Sequence, residues 1–222
     1  MILSEAPEIQ AFQMGCMEFM KDKPDNYYDL AIVDPPYGIK QGGDTNHTRC
    51  KMAVSKKYHS FTDTSSPAPE YWNELIRVSA NQIIWGANHF ISKIPFDSSC
   101  WIVWDKDNGR TDFADCELAY TSFNSAVRRF KFRWQGMLQE NMGARKEERI
   151  HPTQKPVALY RWLLKNYAKP NDKILDTHGG SMSSAIACHT EGFDLDICEL
   201  DEDYFNDAVK RFKLNTIQER LF

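Results

Sequence analysis

Apolar residues run along this chain in short blocks separated by stretches of helical spacing. Tyr28-Asp-Leu-Ala-Ile-Val33 is nearly continuous, of strand length, and predicts a buried strand. From Glu70 to Ser79 the apolar positions Tyr71, Trp72, Leu75, Ile76 and Val78 fall on a helical period. Extended segments are predicted at Gln82–Trp85, Cys100–Trp104, Glu117–Thr121 and Val127–Trp134. Pro156 to Ala168 is amphipathic through Val157, Leu159, Tyr160, Leu163, Leu164 and Tyr167, with Pro156 where a first helical turn tolerates proline. Lys173–Asp176 reads as a short strand, and Ser181–Thr190 as a helix of small residues closed by Gly192. Asp194–Glu199 is a further strand. Asp203 to about Gln218 is a last helix, with Tyr204, Phe205, Ala208, Val209, Phe212 and Leu214 turned inward.

Strands alternating with helices predict an α/β fold with a mostly parallel sheet and helices on both faces. The 222 residues suit one domain, 1–222, and no internal repeat or low-complexity tract divides them. Two polar stretches rich in Gly, Ser, Thr, Lys and Arg interrupt the pattern, 38–69 and 135–150. They are expected to be mobile surface loops, long enough to be functional.

Composition excludes several classes. No run approaches the roughly 18 apolar residues of a membrane span. Met1-Ile-Leu-Ser-Glu-Ala-Pro7 lacks the basic start and apolar run of a signal peptide, so a cytoplasmic protein is expected. The six cysteines (Cys16, Cys50, Cys100, Cys116, Cys188, Cys198) form no C-x-x-C pair, which points to free thiols and no metal site. The net charge of -4 is unlike a dedicated nucleic-acid binder, but its distribution is uneven. Lys40, Arg49, Lys51, Lys56 and Lys57 stand against Asp44 alone, and a second basic group holds Arg128, Arg129, Lys131, Arg133, Arg145, Lys146 and Arg149. The last third is acidic. Such asymmetry fits a protein that meets phosphates on one face, with solvated charged faces as the alternative. On this basis Lys40, Arg49, Lys51, Lys56, Lys57, Arg128, Arg129, Arg133 and Arg145 are candidate nucleic-acid contacts.

Four short blocks carry chemistry. Asp34-Pro35-Pro36-Tyr37 follows directly on the strand ending at Val33, and ligands of open α/β sheets gather at the carboxyl ends of strands. Two prolines fix φ twice and remove two donors, leaving rigid carbonyls. An Asp side chain and a fixed carbonyl offer two acceptors to one amino group, and Tyr37 can stack on a ring. That set suits an exocyclic amino group on a base, whose lone pair would be freed from conjugation. A plain Pro-Pro turn with a capping Asp is the structural alternative. Ile174 to Ser181 runs a strand into Gly179-Gly180 and then a helix, a turn that lets backbone approach a ligand. Glu199, at the end of the next strand, is spaced to hold ribose hydroxyls. His151-Pro-Thr-Gln-Lys-Pro156 places polar side chains before a helix start, with Thr153 as candidate N-cap.

Together these blocks resemble the amino-methyltransferase family of DNA methyltransferases, in the permuted class whose catalytic motif precedes the cofactor motif. The resemblance runs from about Ile9 to the last helix. It implies a single Rossmann-like methyltransferase domain with short inserted loops for DNA recognition, region 38–69 acting as a substrate loop and 135–150 as a short target-recognition loop. It implies S-adenosylmethionine as cofactor, DNA as partner, and direct in-line transfer to N6 of adenine in a flipped-out base, in a restriction-modification setting. Asp34, Pro35, Pro36 and Tyr37 would be catalytic. Asp34, His151, Thr153, Lys155, Pro156, Asp176, His178, Gly179, Gly180, Ser181, Glu199 and Leu200 would bind cofactor. Thr177 and His178 depart from the family's proline and aromatic, and Met182 stands where a third glycine is common. An N4-cytosine methyltransferase, a methylase of RNA or of protein glutamine, and a catalytically silent partner subunit are the alternatives. Monomer and homodimer are both open.

Overall fold

The computed structural model describes residues 6–38, 66–109, 114–135 and 138–218. Ten strands occur among them: β1 Ile9–Gln13, β2 Tyr28–Val33, β3 Ser79–Trp85, β4 Ile102–Asp105, β5 Cys116–Thr121, β6 Arg128–Lys131, β7 Trp134–Gln135, β8 Leu138–Gln139, β9 Ile174–Asp176 and β10 Leu195–Glu199. The helices are α1 Cys16–Lys21, α2 Pro69–Val78, α3 Val157–Tyr167, α4 Ser183–Glu191 and α5 Glu202–Gln218. Eight strands form one sheet in the order β1-β10-β9-β2-β3-β5-β4-β6, and β7 pairs with β8 in a separate hairpin. Every pairing in the large sheet is parallel except those made by β5.

Alternation along the strands builds two cores. Leu30 and Ile32 of β2, with Ile83 and Trp85 of β3, pack on the side of α3 and α4. Ala31, Val33 and Ile84 pack on the opposite side, against Tyr71, Trp72, Leu75 and Val78 of α2. Helices on both faces of a mostly parallel sheet are thus confirmed.

The chain crosses the sheet so that β2 and β9 lie side by side, Leu30 opposite Ile174 and Ala31 opposite Leu175. From β2 the chain proceeds to β3 on one side, and from β9 to β10 on the other. This reversal opens a crevice at the carboxyl ends of β2 and β9. Asp34 and the Asp176 turn therefore become neighbours across a long sequence separation. Because β4 and β6 run with β3 while β5 opposes them, Asp105 and Lys131 end on the same edge, and β5 begins there at Cys116-Glu117.

Several elements differ from expectation. β1 and α1 went unpredicted: β1 is half-buried at a sheet edge without clean alternation, and α1 has only six residues. The segment 127–134 is not one strand but β6 followed by the start of β7. Thr153 is not an N-cap. The N-cap of α3 is Pro156, with no side-chain cap, and the Val157 N–H donates instead to the Glu147 carboxylate at 3.1 Å. Thr153 faces His151, Oγ1 to Nδ1 3.0 Å. Leu214 is exposed, and Arg211 takes an inward position on α5. Most of 38–69 lies outside the described residues. Region 135–150 is held at several points: the buried Gln139 side chain donates to the Glu147 carbonyl (2.9 Å) and accepts its N–H (2.8 Å).

Candidate functional site

A cavity of about 480 Å³ opens in the crevice, within the range of small-molecule sites. Asp34, Pro35, Pro36 and Tyr37 line one end. Gly179, Gly180, Ser181, Glu199 and Leu200 line the other, and His151, Thr153, Lys155 and His178 close the wall between. Thirteen of the fifteen residues predicted for the catalytic and cofactor ends thus share one cavity.

Two of the fifteen do not line it. Pro156 caps α3 behind it, and Asp176 is buried beneath the turn. Asp176 accepts the Ser184 hydroxyl (2.6 Å) and the His178 N–H (3.1 Å). Burial pushes its carboxyl up to about 7, with those hydrogen bonds opposing. Its place is to tie the end of β9 to α4.

The turn itself needs its glycines. A Cβ on Gly179 would come within 3.1 Å of the Ile197 side chain and 3.3 Å of the Cys198 carbonyl. Gly180 has φ +49° and lies under the His151 ring. Met182, where a third glycine was expected, still takes the left-handed conformation, φ 54°, at a cost of roughly 1 kcal/mol. Its side chain is buried, which offsets that cost. In place of the expected proline and aromatic, the Thr177 hydroxyl lies 2.7 Å from the Tyr71 hydroxyl and 2.9 Å from His178 Nδ1. Burial pulls both His178 and His151 down to about 4, so both rings are neutral at pH 7.

At the far end Glu199 accepts the Gly180 N–H (2.7 Å) and the Asp201 N–H (2.9 Å), which fixes its carboxylate at the cavity wall. Burial raises its pKa, the two N–H groups opposing. A carboxylate has about four acceptor positions, so two remain for hydroxyl donors. Leu200 beside it is 70% exposed, an apolar surface at the cavity mouth.

The Asp34 end of the cavity is built around a buried ion pair. Asp34 Oδ1 accepts the Tyr37 hydroxyl at 2.7 Å, and Oδ2 accepts Lys155 Nζ at 2.5 Å. The Lys155 side chain is 4% exposed and that of Asp34 15%, so this pair is not solvent-screened. Lys155 Nζ also lies 3.2 Å from Glu117 Oε2 on β5, and Lys106 pairs with the other Glu117 oxygen. Burial opposes charge on Lys155, but Asp34 and Glu117 together hold its pKa above the ordinary value. Glu117, also penalised by burial, is held down to about 2 by Lys155 and Lys106. Tyr37 is kept protonated by burial and by the Asp34 charge. Its ring stacks on His89 with centroids 5.0 Å apart and meets Phe90 edge-on.

Among the residues of this site that escaped the sequence reading are Glu117, Arg211 and Gly86. Glu117 alternates with Ala119 and Thr121, a period-two signal that it faces inward. Arg211 follows Tyr204 and Ala208 at helical spacing on the buried face. Its guanidinium donates to the Ser181 carbonyl (2.8 Å) and to Glu147 (2.8 Å), anchoring the glycine turn. Gly86, at φ +66°, has no such signal. A Cβ there would stand 2.1 Å from Tyr37 Cε1, so the glycine makes room for the tyrosine ring. Gly86→Ala is expected to displace Tyr37, to lower Tm by roughly 2–4 °C through the left-handed backbone, and to slow turnover about tenfold through misplacement. Thermal melts and the activity assay below check this; a variant with unchanged turnover would show that Tyr37 needs no fixed seat.

Of the candidate phosphate contacts, Lys40, Arg49, Lys51, Lys56 and Lys57 lie outside the described residues. Arg128 begins β6 at the edge away from the cavity, whereas Arg133 lies past its end on the cavity edge. Arg133 and Lys131 both pair with Asp107, and Arg129 with Asp105 at 3.8 Å, so much of this basic charge is matched. Arg145 ends a 3-10 turn, 143–145. Among the described residues no His, Cys, Asp and Glu group is arranged to hold a metal, and no helix is long and apolar enough to cross a membrane.

The family described as DNA methylase (N6_N4_Mtase) matches residues 101–210, a span that contains the His151 segment, the glycine turn and Glu199. The chain is similar to Type II methyltransferase M2.MboI of Moraxella bovis, 24% identical over 83% of this chain and 80% of that protein. It is likewise similar to Type II methyltransferase M.HinfI of Haemophilus influenzae, 24% identical over 89% of this chain and 66% of that one. Among solved structures, M1.HpyAVI in its SAM complex shares the fold with a TM-score of 0.57, at 22% identity over 91% of this chain and 99% of that one. The cytosine-N4-specific PvuII DNA methyltransferase also scores 0.57, at 12% identity over 97% of this chain and 94% of its own.

Proposed function

We propose that this chain, which matches the DNA methylase family over residues 101–210 and is similar to two Type II methyltransferases, transfers a methyl group from S-adenosylmethionine to the exocyclic N6 amino group of adenine in DNA. The observation that carries this reading is the single cavity joining Asp34-Pro35-Pro36-Tyr37 at one end to the glycine turn and Glu199 at the other. An amino-group acceptor and a nucleoside-binding carboxylate thereby face one enclosed space. A metal-free transfer between two organic substrates requires little more than their alignment.

The residues fit the cofactor. Glu199 would hold the ribose hydroxyls, Leu200 would offer an apolar surface to the adenine ring, and the turn from His178 to Ser181, with Thr153 and His151, would receive the methionine portion. The neutral His151 presents no charge to the sulfonium. When bound, S-adenosylmethionine would supply an activated methyl group with its own sulfur as the leaving group, and the proton displaced from the amino nitrogen would pass to solvent.

Asp34 and the Pro35 carbonyl accept the two hydrogens of the target amino group and turn its lone pair toward the cofactor end. Tyr37 stacks on the base with the ring face turned away from His89. Leaving the duplex stack costs the base a few kcal/mol, and stacking on Tyr37 returns roughly 1–3 kcal/mol. DNA approaches along the carboxyl edge of the sheet, with Arg133 and the 38–69 loop meeting phosphates and 135–150 near the target. The whole chain acts as one domain in the cytoplasm.

Adenine is favoured over cytosine because Asp at the first position of the catalytic motif is the adenine-type residue in the family the chain resembles. Labelled methyl transfer from S-adenosylmethionine to mixed-sequence duplex DNA, with nucleosides resolved by mass spectrometry, tests both. N6-methyldeoxyadenosine is expected. N4-methyldeoxycytidine would keep the chemistry and change the base, and the absence of any methylated nucleoside would sink the proposal. Glu199→Ala is expected to weaken S-adenosylmethionine binding about 10–100-fold, the worth of charged hydrogen bonds. Calorimetric titration reads this directly; unchanged affinity would remove Glu199 from the ribose site.

A further inference from the structure

Both oxygens of Asp34 are engaged, Oδ1 by the Tyr37 hydroxyl and Oδ2 by the Lys155 ammonium. An amino group arriving at Asp34 must compete with that ammonium, which is a stronger donor to a carboxylate. Lys155 cannot simply withdraw, because its side chain is 4% exposed and an unpaired charge there is strongly disfavoured. A second seat stands ready. Glu117 Oε2 is enclosed and accepts no hydrogen bond among the described residues, yet lies 3.2 Å from Lys155 Nζ, an ion pair without hydrogen-bond alignment. The other Glu117 oxygen is held by Lys106. Asp34, Lys155, Glu117 and Lys106 thus form a row of alternating charge leading away from the cavity.

We propose that Glu117 is a positioning residue that takes the Lys155 ammonium as the target amino group takes its place on Asp34, so that Lys155 keeps an ion pair throughout. The proposal rests on Asp34 being the acceptor of the target amino group. Two carboxylates flanking one ammonium let it lean either way with little change in energy. A single carboxylate would pin it where the substrate must bind.

The groups facing Lys155 are Asp34 and Tyr37 after β2, Trp85 at the end of β3 with its ring 5.6 Å away, Glu117 of β5 backed by Lys106 after β4, Tyr160 of α3, and His151 of its own segment. His151 is neutral at pH 7, and Tyr37 and Tyr160 stay protonated. Two acids and two ammoniums therefore decide where Lys155 rests.

Glu117→Gln keeps the shape and removes the second seat. In the DNA assay above it is expected to lower kcat about 10–100-fold while S-adenosylmethionine affinity stays unchanged, and Glu117→Asp is expected to recover much of the loss. A purely structural role would not move the pH profile, but this role does. With one carboxylate instead of two, Lys155 of E117Q loses its proton at lower pH than in the wild type, and a neutral amine no longer claims Asp34. Turnover of E117Q should therefore climb toward the wild-type level between about pH 8 and 10, while the wild type shows no such rise. An E117Q variant with wild-type turnover and profile would overturn the proposal. So would a loss equal at every pH and accompanied by weaker cofactor binding. If E117Q does not fold, E117D gives the same reading at smaller amplitude. A wild-type protein that methylates no DNA would overturn the reading of Asp34 itself, an outcome distinct from an active wild type with an indifferent E117Q.

Discussion

Asp34→Ala should abolish methyl transfer, by roughly 10³-fold or more, while leaving the fold and cofactor affinity nearly intact. Removing one preorganised polar group aimed at the reacting centre costs about 10²–10³ in other enzymes, and under the proposed function the same carboxylate would also orient the base. The fold survives because the Lys155 ammonium, 3.2 Å from Glu117, keeps a partner when Asp34 is lost. Glu199 and the Gly180 N–H stand at the other end of the cavity and bond to each other, not to Asp34. Turnover and calorimetric affinity measured on one preparation check this. A variant that binds cofactor and still methylates DNA at the wild-type rate would remove Asp34 from the chemistry.

Lys155→Met has the opposite character, because it leaves two carboxylates facing one another in a buried site. Breaking a buried pair by removing one partner costs about 3–5 kcal/mol, so a large fall in Tm is expected. The sign of the pH dependence follows from Glu117, whose folded pKa is depressed to about 2. Its ion pairs stabilise the wild type above the ordinary carboxylate range, and that contribution is lost as pH falls toward 2. The variant lacks the Lys155 share of it and gains mutual repulsion, both of which vanish as the acids take up protons. The gap between wild type and variant should be widest near neutral pH and narrow below about pH 4. Chemical denaturation at pH 7 and pH 4 measures it; an equal gap at both would mean the pair contributes packing rather than charge.

The contrast between these variants separates chemistry from scaffolding within one ion pair. Asp34 sits at the cavity end of the row and Lys155 in its middle, between two acids. Removing the end leaves the remaining charges alternating in sign, whereas removing Lys155 sets two carboxylates side by side.

Much of this was legible in the chain alone. The apolar run Tyr28–Val33, the helical spacing of 157–167 and the small-residue helix after Gly180 each carry a local period, and local periods survive folding because they encode which side of an element is buried. The chemical blocks were legible for a related reason: Asp34-Pro35-Pro36-Tyr37 and the Gly179-Gly180 turn are contiguous, and their geometry is set by neighbouring residues. The tertiary structure decided what depends on residues distant in sequence. It placed Asp176 behind the cavity rather than in it, replaced Thr153 by Glu147 as the donor-satisfying group at the start of α3, and gave Arg211 to the glycine turn. It also set Glu117 and Lys106 behind Lys155 and made Gly86 the seat of Tyr37. Each of these is a side chain from one strand or helix completing a polar group or a space on another. Such pairings depend on strand order, and the order in which β2, β9, β3 and β5 lie side by side is fixed only when two apolar faces are buried at once.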